Sequence, residues 1–344
     1  MKKMNEERLG WYTRSLMGID SPSGYTHHAI DWIEEQVKGM GYSCFRNAKG
    51  NLIVEVDGNG DGPVTAVSAH TDTLGLMVRS IKADGKLAFT KIGGPILATL
   101  DGEYCRIITR DNRVYTGTIL SCSPAVHVYK DASTRERNEE TMEVRIDEVV
   151  RNAEDVKKLG IQTGDIIAID PKTVITPSGF IKSRFLDDKI SASVFLTMLE
   201  AMKEEKTVFN RKTYFMFSTY EEVGHGASWI PEDVTEMIAV DMGCVGLDLN
   251  CTETEVSICA KDSGGPYDYQ MTSRLIELAK EHDLPYAVDI YPFYGSDAGA
   301  ALKGGHNIRT ALIGPGVHAS HGMERTHMTA VSATYTLLEA YLSE

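Results

Sequence analysis

The stretch VTAVSAHTD, residues 64–72, is a short run of apolar and β-branched side chains that ends in His70 and Asp72. Three later runs have the same form, namely TYFMFSTYEE at residues 213–222, EMIAVDMG at residues 236–243 and IRTALIGPGVHASH at residues 308–321. Runs of this length and composition are typical of strands that are buried on both faces of a sheet. Because SRFLDDK (residues 183–189) opens a predicted helix between them, the chain is predicted to contain an α/β domain.

Acidic or imidazole side chains follow each of these strands and also occupy the head of the helix. The residues concerned are His70, Asp187, Asp188, Glu221, Glu222, Asp241 and His321. In an open α/β sheet, ligands bind in the crevice outside the carboxyl ends of the strands. Two histidines and three or four carboxylates that meet in this crevice can hold two metal ions. The first interpretation of the sequence is therefore a metallohydrolase.

Some of these positions carry more specific expectations. Asp241 lies within the apolar segment AVDMG, and burying a carboxylate there without a partner would cost several kcal/mol. Glu221 and Glu222 are adjacent at a strand end and point in different directions, so one can hold a metal while the other faces a substrate. Asp72 is placed to accept a hydrogen bond from the second ring nitrogen of His70, as carboxylates do beside histidine ligands.

Composition sets further limits on the function. The chain has 344 residues, of which 42% are hydrophobic and 24% charged, which suits two domains or one large domain with an insertion. Its formal net charge of −14 argues against nucleic acid and anionic membranes as partners, because both favour a basic surface. The six cysteines lack metal-finger spacing, and the sequence has neither a signal-peptide core nor an apolar run of membrane length. These features predict a reducing, cytoplasmic setting.

The pattern of hydrophobic and turn residues changes between residues 73 and 176. This segment consists of short alternating strands separated by Gly, Asp and Pro turns, which is typical of a small β-barrel or sandwich. The candidate metal ligands lie on both sides of it and none lies within it. We therefore predict a catalytic domain of residues 1–72 and 177–344, interrupted by a β domain of residues 73–176 that shapes access or mediates assembly. Helices are predicted at residues 5–17, 25–39, 188–206, 267–283, 297–303 and 329–342.

A known family has the same motifs in the same order. The motifs are HTDTLGLMV, SRFLDDK, EEVGHGA, AVDMG, GSDAGAA and the C-terminal histidine loop. With them the chain resembles the dinuclear-zinc aminopeptidases of the tetrahedral, glutamyl and deblocking type, metallopeptidase family forty-two of clan MH. The resemblance runs from the first predicted helix to the last. We accordingly expect a phosphorylase/hydrolase-like three-layer α/β/α sandwich with a mixed central sheet, plus an inserted small, PDZ-like β-barrel.

The resemblance also implies a role for each candidate residue. The implied metal ligands are His70, Asp187, Glu222, Asp241 and His321. Asp187 bridges two metals, and a cis peptide bond to Asp188 is expected after it. His70 and Asp241 complete the shell of one metal, while Glu222 and His321 complete that of the other. Glu221 is the implied general base, and Asp72 is expected to support catalysis beside it.

Cofactors and partners follow from the same resemblance. Two divalent metal ions per subunit are expected. Zinc suits a shell of histidine and carboxylate ligands, although oxygen-rich shells also accept cobalt or manganese. The implied substrates are short peptides. The implied assembly is a homo-oligomer built from dimers, up to a shell of twelve subunits.

The sequence departs from the usual family pattern in two places. Thr73 replaces an acidic residue after the HTD motif, and the C-terminal loop reads HASHGMERTH where RYxHSPVE is commoner. His318 stands where an arginine is expected, and His327 is an additional histidine, so either could join His321 at the site. Asp297, in GSDAGAA, and His318 are the candidate substrate-binding residues.

Two other functions remain open at this point. A carboxypeptidase or an N-acyl amino-acid deacylase on the same scaffold would need a positioned cation for the substrate carboxylate, and Arg184 and Arg309 are available. An inactive oligomeric binding protein could also keep the fold. Free-amine and N-blocked substrates separate the aminopeptidase from the deacylase.

Overall fold

The computed structural model describes residues 3–344, which form two compact units. The first unit comprises the chain up to Asp72 together with Lys172–Glu344, and the second is Thr73–Pro171. In the described residues, no helix combines the length and the hydropathy that crossing a membrane requires.

The helices and strands are numbered in chain order. The helices are α1 (Glu6–Met17), α2 (His27–Gly39), α3 (Ala153–Lys158), α4 (Leu186–Glu205), α5 (Tyr269–Glu281), α6 (Asp297–Lys303) and α7 (Met328–Leu342). The strands are β1 (Cys44–Arg46), β2 (Leu52–Val56), β3 (Thr65–His70), β4 (Gly75–Ile81), β5 (Leu87–Ile92), β6 (Tyr104–Ile108), β7 (Val114–Ser121), β8 (Met142–Ile146), β9 (Ile166–Ile169), β10 (Val174–Ile175), β11 (Phe180–Ser183), β12 (Thr213–Ser218), β13 (Glu236–Val240), β14 (Gly243–Cys244), β15 (Val256–Asp262), β16 (Gly265–Pro266), β17 (Tyr286–Ile290), β18 (Arg309–Val317) and β19 (Glu324–His327).

The central sheet of the first unit is mixed. Within residues 3–344, ten strands form it in the order β1-β2-β12-β3-β13-β18-β15-β16, with β14 beside β18 and β17 beside β15. Strands β12, β3, β13 and β18 run parallel to one another. Strand β2 runs antiparallel to β1 and β12, and β15 runs antiparallel to β18 and β16 but parallel to β17. All residues of β3, β12 and β13 are buried. The carboxyl ends of the four parallel strands therefore meet at one edge of the sheet.

Alternate side chains of β12 face different layers. Phe215 and Phe217 pack edge-on against Phe195 of α4, with ring centroids 5.3 and 5.8 Å apart. Met216, between them in the sequence, belongs instead to a core cluster with Ala301 of α6. Since successive residues of a strand point to opposite faces, α4 and α6 cover opposite faces of the sheet. The predicted three-layer α/β/α sandwich is confirmed.

The second unit is a closed barrel. Within Thr73–Pro171, the strands follow the order β4-β5-β8-β7-β6-β9, and each pairs antiparallel with its neighbours. Its interior is filled by apolar side chains such as Leu76, Phe89, Ile107 and Ile119. Closure leaves no free sheet edge. The prediction of a small barrel within an α/β chain is therefore confirmed.

A small sheet lies beside the head of α4. Strand β11 pairs antiparallel with β10 and with β19, and Ser183 is the register partner of Glu324. Four residues after Ser183, the backbone of Asp187 departs from helical geometry, as does that of Asp188, and the peptide bond between them is cis. This sheet therefore brings the C-terminal loop close to the start of α4.

Candidate metal centre

The parallel strands bring His70 and Asp241 to the same edge of the sheet. His70 is the last residue of β3, and Asp241 directly follows β13. The backbone N–H of Asp241 still donates to the carbonyl of Ile313 in β18 at 2.9 Å, and that of Thr71 to Ser218 in β12 at 2.9 Å. Both side chains are thus projected from backbone that the sheet holds in place.

The imidazole of His70 is oriented by a backbone carbonyl. Its Nδ1 lies 2.9 Å from the carbonyl oxygen of Asp72, and because a carbonyl can only accept, Nδ1 carries a proton. Nε2 faces Asp187 Oδ1 at 2.9 Å and Glu221 Oε2 at 3.7 Å. The Asp72 carboxylate, which the sequence suggested as the partner of His70, is 3.6 Å from Nδ1. When the ring is neutral, this tautomer places the lone pair on Nε2, which can then bind a cation.

The Asp72 carboxylate instead holds the turn that follows β12. Oδ1 accepts a hydrogen bond from the backbone N–H of Glu221 at 3.1 Å, and Oδ2 from that of Glu222 at 3.3 Å. The Ser23 hydroxyl also donates to Oδ2, at 2.5 Å. Asp72 therefore fixes the two glutamates through their backbone, although it follows a different strand.

The carboxylate of Asp187 lies between the two imidazoles. Oδ1 is 2.9 Å from Nε2 of His70, and Oδ2 is 3.5 Å from Nε2 of His321. Oε2 of Glu222 is 3.6 Å from the same nitrogen of His321. Asp188 points away from this cluster, because its Oδ2 accepts a hydrogen bond from the backbone N–H of His70 at 3.1 Å. Each oxygen of Asp187 thus faces a different histidine, as a bridging carboxylate requires.

Two groups of donor atoms are close enough to hold an ion. His70, Glu221 and Asp241 form one group, and His70, Asp187 and Glu222 form the other, with their donor atoms within 4.8 Å of one another. His70 belongs to both, whereas the sequence assigned it to a single metal. In residues 3–344, Oε1 of Glu222 is buried without a hydrogen-bond partner. Nitrogen and oxygen donors with an unsatisfied buried oxygen fit divalent cations such as zinc.

The charges of the cluster are poorly balanced by protein groups. Burial first, and then the charge of Asp187, raise the pKa of Asp241 to about 8. Burial also raises the pKa of Glu221 and of Glu222. The pKa of His70 is raised although burial opposes this, because Asp187 hydrogen bonds to it and further carboxylates surround it. An excess of buried carboxylates over imidazoles is the environment that bound cations would neutralise.

A cleft of about 450 Å³ opens onto the cluster. Its lining includes the candidate ligands Asp187, Glu222, Asp241 and His321 together with Glu221, and also residues 262–264 and 293–296. The hydroxyl of Tyr294 donates to the carbonyl of Met242 at 3.1 Å, which ties residues 293–296 to the end of β13. The cleft also includes Lys303, at the end of α6.

Comparison with known proteins identifies the family. Residues 50–337 match the sequence profile of the M42 glutamyl aminopeptidases. The chain belongs to this family. Over 330 residues it is 46% identical to "Putative aminopeptidase YhfE" of Bacillus subtilis (strain 168), covering 96% of this chain and 95% of that protein. M42 enzymes are metallopeptidases, and the chain is accordingly a peptide-bond hydrolase of the aminopeptidase class.

Solved structures have the same fold. Aminopeptidase APDkam598 from the archaeon Desulfurococcus kamchatkensis superimposes with a TM-score of 0.85 at 22% identity, covering 98% of this chain and 96% of that one. The Pyrococcus horikoshii TET1 peptidase, which can assemble into a tetrahedron or a large octahedral shell, superimposes with a TM-score of 0.84 at 21% identity, covering 98% and 99%. The architecture of the M42 chain is thus shared along its whole length.

The other histidines of the C-terminal loop lie apart from the cluster of this M42 chain. His318 is exposed and does not line the cleft. Nε2 of His327 lies 2.8 Å from the carbonyl oxygen of Ser178, and its Nδ1 accepts from the backbone N–H of Thr329 at 3.1 Å. His321 is thus the histidine of this loop that faces Asp187, and a substrate-binding role for His318 stays a prediction.

Asp297 is tied into the protein rather than open to the cleft. Its Oδ1 accepts a hydrogen bond from the backbone N–H of Ala227 at 2.8 Å, and its Oδ2 accepts one from the Ser218 hydroxyl. It therefore connects α6 to the end of β12 and to the segment after the two glutamates. Substrate binding by Asp297 stays a prediction.

Sequence reasoning missed a buried carboxylate, Glu324. Its Oε1 accepts a hydrogen bond from the backbone N–H of His321 at 2.9 Å, and its Oε2 accepts one from that of Asp187 at 3.1 Å. Burial, followed by the charge of Asp187, raises its pKa to about 8. The segment HGMERTH has no apolar run around Glu324 to signal that it is buried, so only the fold reveals it.

Proposed function

We propose that this chain removes single N-terminal residues from short peptides by using two divalent cations and Glu221 as general base. One observation carries the proposal, namely that the two oxygens of Asp187 face the Nε2 atoms of His70 and His321 at 2.9 and 3.5 Å. An arrangement in which one carboxylate lies between two imidazoles suits a pair of cations.

Each cation would have three protein ligands. His70, Asp187 and Asp241 would hold one, and Asp187, Glu222 and His321 would hold the other. Three protein ligands leave coordination positions open for water and substrate, as in catalytic rather than structural zinc sites. The donor set suits zinc, and cobalt or manganese are alternative occupants.

Glu221 would move the protons of the reaction. Divalent cations, when bound, supply a Lewis acid that polarises the scissile carbonyl and lowers the pKa of water. Glu221 lines the cleft, its Oε2 is 3.7 Å from His70 Nε2, and burial raises its pKa. It would accept the proton of the attacking water and return it to the leaving amine. A base with a raised pKa is better matched to this transfer near neutral pH than an ordinary carboxylate.

The cleft favours the amino end of a peptide. A free α-amine would bind an open coordination position of one cation or a nearby carboxylate, and the cleft volume of about 450 Å³ lies within the range of small-molecule sites. We also propose a homo-oligomer, by similarity to the Pyrococcus horikoshii TET1 peptidase, with the barrel unit contributing to assembly. The implied substrates are therefore short peptides that can enter such an assembly.

The rival hydrolases have weaker support. Recognition of a substrate carboxylate calls for a cation in the cleft, but Arg309 is hydrogen-bonded to Glu236 at the opposite end of β13, and Nη1 of Arg184 donates to the carbonyl of Gly322 at 3.1 Å. Among the described residues, Lys303 is the lysine or arginine that lines the cleft. A deacylase or carboxypeptidase would therefore depend on Lys303.

The experiment is hydrolysis of a panel of aminoacyl amides and their N-acetylated counterparts. The protein is first freed of metal with a chelator and then reloaded with zinc, cobalt or manganese. We expect cleavage of free-amine substrates alone, lost with the chelator and restored by metal. Activity confined to blocked substrates would instead establish the deacylase, and silence with two metals bound would favour the inactive binding protein.

A further inference from the structure

We propose that Glu324 is a positioning residue for the cation site of Asp187, Glu222 and His321, where it holds the backbones of Asp187 and His321 at a fixed separation. The inference rests on the proposed function, because it concerns how the same cations are held. Glu324 itself lies outside the donor groups of the cluster and does not line the cleft.

The position of Glu324 is set by the small sheet. It pairs with Ser183 in the β11–β19 ladder, and Thr326, two residues later, donates from Oγ1 to the carbonyl of Gly316 at 2.7 Å. Glu324 is buried, with 2% of the residue exposed. Its carboxylate is therefore anchored on a strand, while the two groups that it binds lie in irregular backbone.

Both of those backbones depart from regular secondary structure. Asp187 departs from helical geometry at the head of α4, and His321 has a φ of +63°, in the left-handed region. A non-glycine residue with positive φ needs its surroundings to hold it there. The backbone N–H groups of both residues donate to the one carboxylate, at 3.1 and 2.9 Å. Glu324 thus fixes the separation of the two segments whose side chains meet at 3.5 Å.

A carboxylate is the side chain that fits this position. It presents two acceptor oxygens, so both N–H groups are satisfied at once. Glutamine has nearly the same shape but one acceptor, and its amide NH₂ must face one of the two N–H donors. The substitution Glu324→Gln therefore removes one hydrogen bond and opposes two donors, while leaving the volume of the side chain unchanged.

The test is a metal titration of the Glu324→Gln variant after its metal has been removed with a chelator. Calorimetry measures zinc binding, and visible absorption measures cobalt binding. We expect the cation at the site of His70, Asp187 and Asp241 to bind with a Kd within about threefold of the wild type. The cation at the site of Asp187, Glu222 and His321 should bind about 10- to 100-fold more weakly, which is the usual effect of losing a residue that orients metal ligands. Activity should then depend on added metal, with kcat recovering at saturating cobalt and KM little changed.

Glu236→Gln is the matched control. Glu236 is also a buried carboxylate of the first unit, but it lies at the other end of β13, where Arg211 Nη1 and the Tyr341 hydroxyl donate to it, each at 2.7 Å. This variant should lower the melting temperature at least as much as Glu324→Gln, yet retain both metal affinities. Glu324→Asp, whose shorter side chain reaches only one N–H, should give an intermediate loss and replaces the glutamine variant if that fails to fold.

The outcomes separate the two proposals. Wild-type protein that binds fewer than two cations would overturn the proposed function, and the role of Glu324 with it. Two cations in the wild type and unchanged binding in Glu324→Gln would overturn only the positioning role. Equal weakening of both cations, or the same loss in Glu236→Gln, would also contradict it, since a general loss of stability would then suffice.

Discussion

The proposed metal centre consists of two halves that are supported in different ways. His70 and Asp241, the strand-end ligands, are 1% and 5% exposed and project from backbone within or next to the central sheet. Glu222 and His321, the turn ligands, lie in a short 3₁₀ turn and in a loop, and the side chain of His321 is 36% exposed. The sheet holds the first pair by backbone ladders, whereas individual side chains hold the second pair. The second half should therefore be the more sensitive to single substitutions at a distance.

Asp187 is the ligand proposed to serve both halves, so its removal tests whether they share a ligand. Asp187→Ala should reduce uptake of both cations and bring activity to background, because one carboxylate oxygen faces each histidine. Metal content after equilibrium dialysis, measured by atomic emission, checks this. Two cations bound at wild-type affinity would contradict the bridging role. His327→Ala is the control, since that imidazole is bonded to Ser178 and to Thr329 instead.

Glu221 tests whether the turn after β12 separates catalysis from metal binding. Glu221→Gln should lower kcat by about 10² to 10⁴-fold, the usual contribution of a general base, while both cations remain bound. The reason is that Glu222, and not Glu221, is the proposed ligand on this turn. Single-turnover kinetics with matched metal analysis measures both quantities. A parallel loss of metal would mean that Glu221 is itself a ligand, which its place in a donor group with His70 and Asp241 makes geometrically feasible.

Substitution of Asn51 tests whether cation binding by the turn ligands depends on side chains that hold the turn in place. This buried residue donates from Nδ2 to the carbonyl of Gly226 at 3.0 Å, and its Oδ1 accepts from the backbone N–H and the hydroxyl of Thr219 at 3.0 and 2.8 Å. It thus joins both ends of the segment that carries Glu222. Asn51→Ala should cost about 1–3 kcal/mol of stability through unsatisfied polar groups, and weaken one cation about tenfold, in the range seen for residues that orient ligands.

Asn47→Ala is the appropriate comparison for Asn51→Ala. Asn47 accepts hydrogen bonds from the backbone of Lys49 and of Asn51 within the neighbouring hairpin, both at 3.0 Å. It makes no side-chain contact of this kind with the turn after β12. Loss of stability without a change in metal affinity is expected for Asn47→Ala. If both variants weaken the same cation equally, hairpin stability rather than the turn would be the cause.

The difference between the strand-end half and the turn half of the centre also explains what could be predicted from the sequence. The positions of His70 and Asp241 were predictable, because an apolar run such as that of β3 or β13 marks both the strand and the polar residue at its end. Their role as ligands stays a prediction. The donors of the second half were also named, including His321. Their supports were not, since the bond from Asp187 to Glu324 joins residues 137 positions apart and leaves no local pattern. The sequence suggested the Asp72 carboxylate as the partner of His70 Nδ1, whereas the backbone carbonyl of Asp72 lies closer. A sequence does not show which group of a residue makes a hydrogen bond.

The fold was predictable for a related reason. The spacing of hydrophobic residues and the turn residues identify helices and strands locally. Continuous apolar runs indicated the strands of the sandwich, and the segment of short alternating strands between them indicated the barrel. Helix ends were less certain. The predicted helix at residues 188–206 is Leu186–Glu205, because the irregular pair Asp187 and Asp188 lies within its first turn. The backbone geometry of Asp187 depends on its hydrogen bond to Glu324 of β19, and a local sequence pattern does not reveal such a distant contact.

The pH dependence of stability concerns the strand-end half. In protein without cations, burial and the charge of Asp187 raise the pKa of Asp241 from 3.8 to about 8. A raised pKa in the folded state means that Asp241 contributes stability fully below pH 3.8, and that this contribution is lost as the pH rises toward 8. The free energy of unfolding of chelated protein should therefore fall between pH 5.5 and pH 8, by up to about 1.4 kcal/mol per pH unit for one such carboxyl. Melting temperatures measured across this range check the direction.

Bound cations should reverse that dependence, because they require deprotonated ligands and bind more tightly as the pH rises. Asp241→Asn isolates the contribution of one strand-end ligand. In chelated protein it should flatten the slope and raise the melting temperature at pH 8, since a neutral amide removes a buried charge, while it weakens cation binding. A chelated wild type that becomes more stable between pH 5.5 and pH 8 would show that the buried carboxylates are already compensated by protein groups. The case for cations at the edge of the sheet would then rest on geometry alone.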